Sequence, residues 1–311
     1  MNALIIILLA CGWSTPSPSV PDALENLEPL LQDEQSALDA IRRFDLYQQN
    51  LAEWDLHLAR QFVVDGEKDL AADKEKQARA RFDLVLAAYE EFLRWYPKNV
   101  QALNYLGELL YDRYAAIARA VSLWQYAIAL DDTYAPPFNN LAIHYSHTGL
   151  HSKSLEMFGR LLELEPDNPD YLFNVVQFYL GFFPELERRF DVSKHDVYKE
   201  AMKLSRRAAK LAPDDFQIQQ DYAQNFFLAE QYDNRPDWRG AAQQWQKVRA
   251  LANTEDLVFN AWLYEGRAWK RAGDLKAAGH CFLEAQKIHP ESALVQQLLE
   301  QTAPPEERQS P

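Results

Sequence analysis

From residue 37 onward, apolar residues recur three and four positions apart, the spacing that puts them on one face of a helix. The apolar segments come in pairs of similar size, so the pattern predicts antiparallel helix pairs along nearly the whole chain. Arg81 to Pro97 reads as the second helix of an early pair through Val85, Tyr89, Phe92 and Trp95, with residues 37–65 as its degenerate partner. Further pairs follow at 100–134, 135–168, 169–215, 216–258 and 259–292, and Glu291 to Gln301 reads as a last helix that covers the exposed end. Two pairs exceed the common length, with the extra residues around Phe182–Asp196 and Gln231–Trp238. A loop can grow at those places without disturbing the packing of neighbouring helices.

The pairs are copies of one another. In 259–292, Trp262, Gly266, Trp269, Ala278, Phe282, Ala285 and Pro290 stand at fixed offsets, with Gly273-Asp274 at the turn. Residues 135–168 repeat the pattern through Phe138, Leu141, Ala142, Tyr145, Phe158 and Pro166, with Thr148-Gly149 at the turn. The small residues allow two helices to approach closely, the rings fill the space around them, and proline stops the second helix. Weaker copies keep Leu103, Leu106, Gly107, Ala120, Trp124 and Ala127, then Leu172, Tyr179, Ala201, Ala208 and Pro213, then Tyr222, Ala223, Phe226, Ala241 and Trp245. This spacing resembles the tetratricopeptide repeat. The resemblance implies an all-α fold over residues 37–302, a right-handed superhelical solenoid of antiparallel helix pairs with about five to six repeats and a C-terminal capping helix, followed by a disordered tail at 303–311.

Composition removes several functions. The chain has 10 glycines in 311 residues, and the closest two, Gly273 and Gly279, are six apart, so neither a dinucleotide-binding glycine motif nor a P-loop can be written. Two cysteines, Cys11 and Cys281, are too few for a disulfide framework or a cysteine-rich zinc site. A net charge of -14 repels phosphate backbones and argues against nucleic acid as a partner.

The N-terminus reads differently from the rest. The apolar run Leu4–Ala10 would cover only about 10 Å as a helix, against ~30 Å for a bilayer core, so it is no membrane span. Leu8-Leu9-Ala10-Cys11 resembles the lipobox of bacterial lipoproteins, although no Lys or Arg precedes Arg42. By that resemblance residues 1–10 are a signal segment and Cys11 becomes the lipid-modified first residue. Residues 11–36, with Pro16, Pro18, Pro21 and Pro29, form a proline- and acid-rich tether. The other reading of the run is the apolar start of a soluble chain.

Candidate chemistry is sparse. His144, His147 and His151 are the only clustered metal-ligand types, but Gly149 separates the third from the first two, and no metal or other cofactor is expected. Cys281 beside His280 points about 100° away from it on a helix, so the two do not form a nucleophile–base pair, and no catalytic residue is expected.

The repeat resemblance instead implies a groove lined by first-helix residues: Asn104, Glu108 and Tyr111; Asn139, Asn140 and Ile143; Phe173, Asn174 and Gln177; Gln217, Gln220 and Gln224; and Asn260, Arg267, Lys270 and Arg271. Amides offer a donor and an acceptor each and suit an extended peptide backbone. Asn140 and Asn174 occupy equivalent places and resemble the asparagine ladder of the repeat domain in O-linked sugar transferases. Arg267, Lys270 and Arg271 form a basic cluster that can receive a carboxylate, or merely solubilise a helix end. The expectation is a non-catalytic protein-interaction adaptor of the bacterial cell envelope. It would bind a protein or extended peptide, touch the membrane only through the lipid at Cys11, and act on no small-molecule substrate. A soluble cytoplasmic scaffold and a ligand- or metal-binding module stay open as alternatives.

Overall fold

A computed structural model describes residues 33–302, so the expected signal segment, most of the expected tether and the expected tail at 303–311 lie outside the described residues. Among the described residues the secondary structure is helical: α1 (Glu34–Val64), α2 (Lys68–Trp95), α3 (Val100–Tyr114), α4 (Ile117–Leu130), α5 (Pro136–His147), α6 (His151–Leu164), α7 (Pro169–Gly181), α8 (Phe183–Phe190), α9 (Lys194–Leu211), α10 (Phe216–Asn225), a 3-10 helix (Phe226–Tyr232), α11 (Trp238–Leu251), α12 (Glu255–Arg271), α13 (Leu275–Ile288) and α14 (Ala293–Thr302). The chain divides into two compact units, up to Leu141 and from Ala142 onward.

Helix starts are written in short polar side chains. Asn99, Asn168, Ser193, Asp215, Asp237, Thr254 and Asp274 each accept a backbone N–H from the first turn of the helix they precede. Turns within pairs share another device. Gly66, Ala115, Gly149, Asp191, Asp233 and Gly273 all have positive φ, and each stands between the two helices of a pair, shortly before the second begins. This left-handed residue ends the first helix and reverses the chain.

The second helices bury one recurring triplet at i, i+4 and i+7: Ala120, Trp124 and Ala127; Ser154, Phe158 and Leu161; Ala201, Ser205 and Ala208; Ala241, Trp245 and Val248; Ala278, Phe282 and Ala285. In two of these pairs the central ring lies against a glycine of the first helix. A β-carbon on Gly107 would fall within the Trp124 indole, and one on Gly266 would sit 2.5 Å from Cε1 of Phe282. The glycines therefore set how closely the helices of these pairs approach.

The largest departure from the sequence pattern lies in the first unit. The second helix of the early pair starts at Lys68, thirteen residues before Arg81. Residues 68–80 bury only Ala71 and Ala78, so no apolar stripe announces them. Charge pairing stands in for it. Asp55 of α1 is 3% exposed and bridges Lys74 at 2.9 Å and Arg81 at 2.8 Å on α2. Burial pushes the Asp55 carboxyl up, but the hydrogen bonds and charges of Arg81 and Lys74 outweigh it and hold its pKa below the usual value. Asp45, equally buried, accepts from Tyr89 Oη at 2.7 Å and Arg42 Nη1 at 2.6 Å. The predicted insertions also acquire structure: residues near 182–196 form α8, and the second begins as the 3-10 helix.

Gly266→Ala should lower stability by about 1–3 kcal/mol in urea unfolding, because Phe282 has to leave its rotamer or the helices have to part. Gly159, on the exposed face of α6 with no heavy atom near its missing β-carbon, should instead gain up to about 1 kcal/mol as alanine.

Candidate functional site

The first helices do not present the amides as a uniform ladder. In the first unit, Asn104 is 1% exposed. Its Nδ2 donates to Glu108 Oε1 at 2.8 Å and its Oδ1 accepts from Asn140 at 2.9 Å, while Asn140 also donates to Glu108 at 3.0 Å. Asn104 is therefore a structural residue and not groove lining, which corrects the sequence reading. Asn140 is turned back onto the same carboxylate. Burial raises the Glu108 pKa, and the amide hydrogen bonds from Asn140 and Asn104 only partly offset it. Tyr111 packs on Trp124 with ring centroids 5.4 Å apart, and Asn139 is half-buried.

In the second unit the arrangement is more open. Gln177 of α7 donates to Asp221 Oδ1 of α10 at 2.6 Å, which ties the first helices of two successive pairs side by side. Gln217, Gln220 and Gln224 then follow one stripe of α10, and Phe173, Asn174 and Gln177 one stripe of α7. Gln177, Gln217 and Gln224 are exposed, whereas Phe173, Asn174 and Gln220 are half-buried. The result is a strip of amides with an aromatic at its edge.

Beneath the strip lies a polar knot that the sequence reading missed. Asn225 Nδ2 donates to Asp221 Oδ2 at 2.9 Å and to Ser205 Oγ at 3.3 Å. Ser205 stands at the central position that is Trp or Phe in the four other triplets, and the missing ring leaves room for these groups. That substitution was the available signal. Burial with no cation at hand pushes the Asp221 carboxyl up to about 6, although Gln177, Asn225 and Ser205 pull the other way.

The predicted basic cluster is dispersed. Arg267 lies over the Tyr264 ring, Lys270 Nζ donates to Gln301 on α14, and Arg271 pairs with Glu230 at 3.6 Å and covers the Trp238 ring. The three histidines are not brought together either, since His151 packs on Phe178 and Phe182 and His147 sits at the edge of Phe182. Among the described residues no group of three His, Cys, Asp or Glu side chains is placed to hold a metal ion. Cys281 is buried, and burial together with Glu265 pushes its thiol up to about 12, so it stays protonated and unreactive.

No family model matches the sequence, and no curated protein matches it. Solved structures do. YrrB, a TPR protein with an unusual peptide-binding site, is 16% identical, with 68% of this chain and 96% of that chain covered and a TM-score of 0.50. The C-terminal part of a TPR repeat-containing protein from Cytophaga hutchinsonii is 14% identical, with 83% of this chain and 99% of that chain covered and a TM-score of 0.52. The chain has the tetratricopeptide-repeat fold. The triplets of the second helices, the small residues facing their rings and the left-handed turn residues are thus the packing elements of tetratricopeptide pairs. Asp221, Ser205 and Asn225 are this chain's own variation on that packing.

Asp221→Asn tests the polar knot. The folded chain holds this proton more tightly than the unfolded one, whose carboxyl titrates near 3.8, so the Asp221 contribution to stability falls as pH rises from about 4 to about 6. The asparagine variant should lose that part of the pH dependence and be more stable at pH 7 by about 1–2 kcal/mol, discounted for partial exposure. Parallel pH–stability curves for the two proteins would contradict the assignment.

Proposed function

We propose that the chain is a non-catalytic protein-interaction scaffold that holds an extended peptide or protein segment along the first-helix face of its second unit. The observation that carries this reading is the Gln177–Asp221 bond, which aligns the amide stripes of α7 and α10 into one exposed strip. Amides spaced one turn apart on neighbouring helices satisfy backbone N–H and C=O groups in turn and make no demand on side-chain identity. Phe173, at the edge, offers an apolar contact. The scaffold role is the reading that the tetratricopeptide-repeat fold supports, and the peptide-binding site of YrrB supports a peptide as its ligand.

The same proposal places the protein at the bacterial cell envelope, held by a lipid on Cys11 and facing the periplasm. Support comes from the sequence: the lipobox-like Leu8-Leu9-Ala10-Cys11 and the proline-rich stretch after it. Among the described residues no helix is long and apolar enough to cross a membrane, so attachment would come from the acyl chains, two or three of which hold a protein stably.

A photo-crosslinking residue at Gln224 should capture a polypeptide from the host that the same residue at Glu156, exposed on α6, does not, and replacing Gln217 and Gln220 with Arg in the Gln224-labelled protein should abolish capture. Equal yields from both positions would sink the groove. Separately, Cys11→Ala should abolish palmitate labelling and release the protein from the membrane fraction, whereas unchanged labelling would remove the anchor.

A further inference from the structure

We propose that a cleft between α9, α10 and α11 is a second docking site, built for an acidic peptide segment with a bulky apolar side chain. The cleft has a volume of about 530 Å³ and lies between the second helices of two successive pairs, with α10 as its floor. Arg206 and Lys210 stand one turn apart on α9, and Gln243 and Lys247 one turn apart on α11, so two short polar rows line opposite walls. Ala209, Pro213 and Phe226 supply apolar surface between them.

The spacing of the walls is held from below. Gln244 Nε2 donates to Gln219 Oε1 at 2.6 Å, and Gln219 Nε2 donates to the carbonyls of Ala209 at 2.5 Å and Ala212 at 2.9 Å. Both glutamines are buried, and this amide bridge links all three helices. Arg206 Nε donates to Tyr222 Oη at 3.2 Å, which places its guanidinium beside the floor.

The charge pattern selects the occupant. On the same two helices Lys194, Lys203, Arg207 and Arg249 pair with Asp233, Glu200, Asp167 and Glu265, whereas Lys199 and Arg239 make no ion pair among the described residues and lie outside the cleft. The three that line the cleft are not paired either, because no described carboxylate lies within ion-pair distance of Arg206, Lys210 or Lys247. Asp237 is the one acid in the lining, and its Oδ1 already accepts the Gly240 N–H at the start of α11. In a chain with 46 acidic and 32 basic residues the cleft thus gathers three cations against one acid, Asp237, whose charge reaches Arg206. Carboxylates of a partner peptide complement them, and an apolar side chain between those carboxylates fits the floor. The apolar surface of Ala209, Pro213 and Phe226 between the cations suits a peptide side chain and not a polyphosphate strand.

This site goes beyond the amide strip. Tyr222 is two positions along α10 from Gln220 and from Gln224, about 160° around the helix, so strip and cleft use opposite sides of it. Failure of one leaves the other standing.

The test is fluorescence anisotropy on the full chain, with a fluorescein-labelled octapeptide of aspartate and glutamate around one central leucine. Binding should weaken steeply between about 50 and about 500 mM salt, and Arg206→Glu/Lys210→Glu/Lys247→Glu should weaken it about tenfold or more. All three sites are exposed, and an unchanged circular dichroism spectrum confirms that the variant folds. The corresponding triple alanine variant should show a smaller loss in the same direction, and Gln220→Arg/Gln224→Arg should bind like the wild type. The proposal is overturned if the wild type does not bind the peptide, or if the charge-reversed protein binds it equally well. It is also overturned if a single-stranded oligonucleotide, or vesicles containing phosphatidylglycerol, bind as tightly as the peptide and with the same sensitivity to the triple substitution.

Discussion

Helix pairs close on a ring of the second helix, set in two of them against a glycine of the first, and the faces available for binding follow from how closely that contact lets the helices approach. Where that glycine is Gly107 or Gly266, the space opposite is filled by Trp124 or Phe282 so completely that a single methyl group does not fit. Truncating such a ring to alanine typically costs about 3–5 kcal/mol, which makes the contact a principal term in those pairs. Its flanking residues are mostly alanine, valine or leucine, as the triplets show. They keep the second helix lying flat against its neighbours while its outer face stays free to carry charge.

The one second helix that breaks the rule shows what the rule does elsewhere. Ser205 cannot fill the space a ring would, and Asp221 and Asn225 turn into it and bond to one another. A carboxylate is thereby held in a half-buried place with amide and hydroxyl partners but no cation, which accounts for its raised pKa. The same knot reaches Gln177 and orders the strip above it. Packing and binding face are coupled here through one side chain: a ring at position 205 would close the space and leave Asp221 and Gln177 without their present arrangement.

Buried charge is handled in two ways. In the early pair, Asp45 and Asp55 meet cations and a tyrosine hydroxyl, and Asp55 remains ionised. Breaking such a pair from one side leaves an uncompensated charge, so these contacts specify which residues of α1 and α2 meet more than they add net stability. Glu108 and Asp221 instead accept hydrogen bonds from amides, and only Glu108 also feels a cation, Arg42. The outer face of the second unit differs again, with three cations at the cleft against one acid, Asp237.

The sequence by itself determined the fold class, the positions of most helix pairs, the two insertions and the covering last helix. Each of these follows from local signals: the 3.6-residue period, small and aromatic residues at fixed offsets, turn glycines and the prolines that stop second helices. The start of α2 escaped because residues 68–80 are held by alanines and ion pairs, neither of which leaves an apolar stripe. The lining of the first-helix face was legible only as a set of positions. Periodicity says which side of its own helix a residue occupies, and so it marked Asn104 and Gln177 alike. Whether an amide meets a buried carboxylate or solvent depends on side chains 30 or more residues away, as the bonds from Asn140 to Glu108 and from Gln177 to Asp221 show. Only the tertiary structure decided that Asn104 is internal, that Arg267, Lys270 and Arg271 part company, and that Arg206, Lys210 and Lys247 converge, because the packing of one pair on the next sets the register between helices.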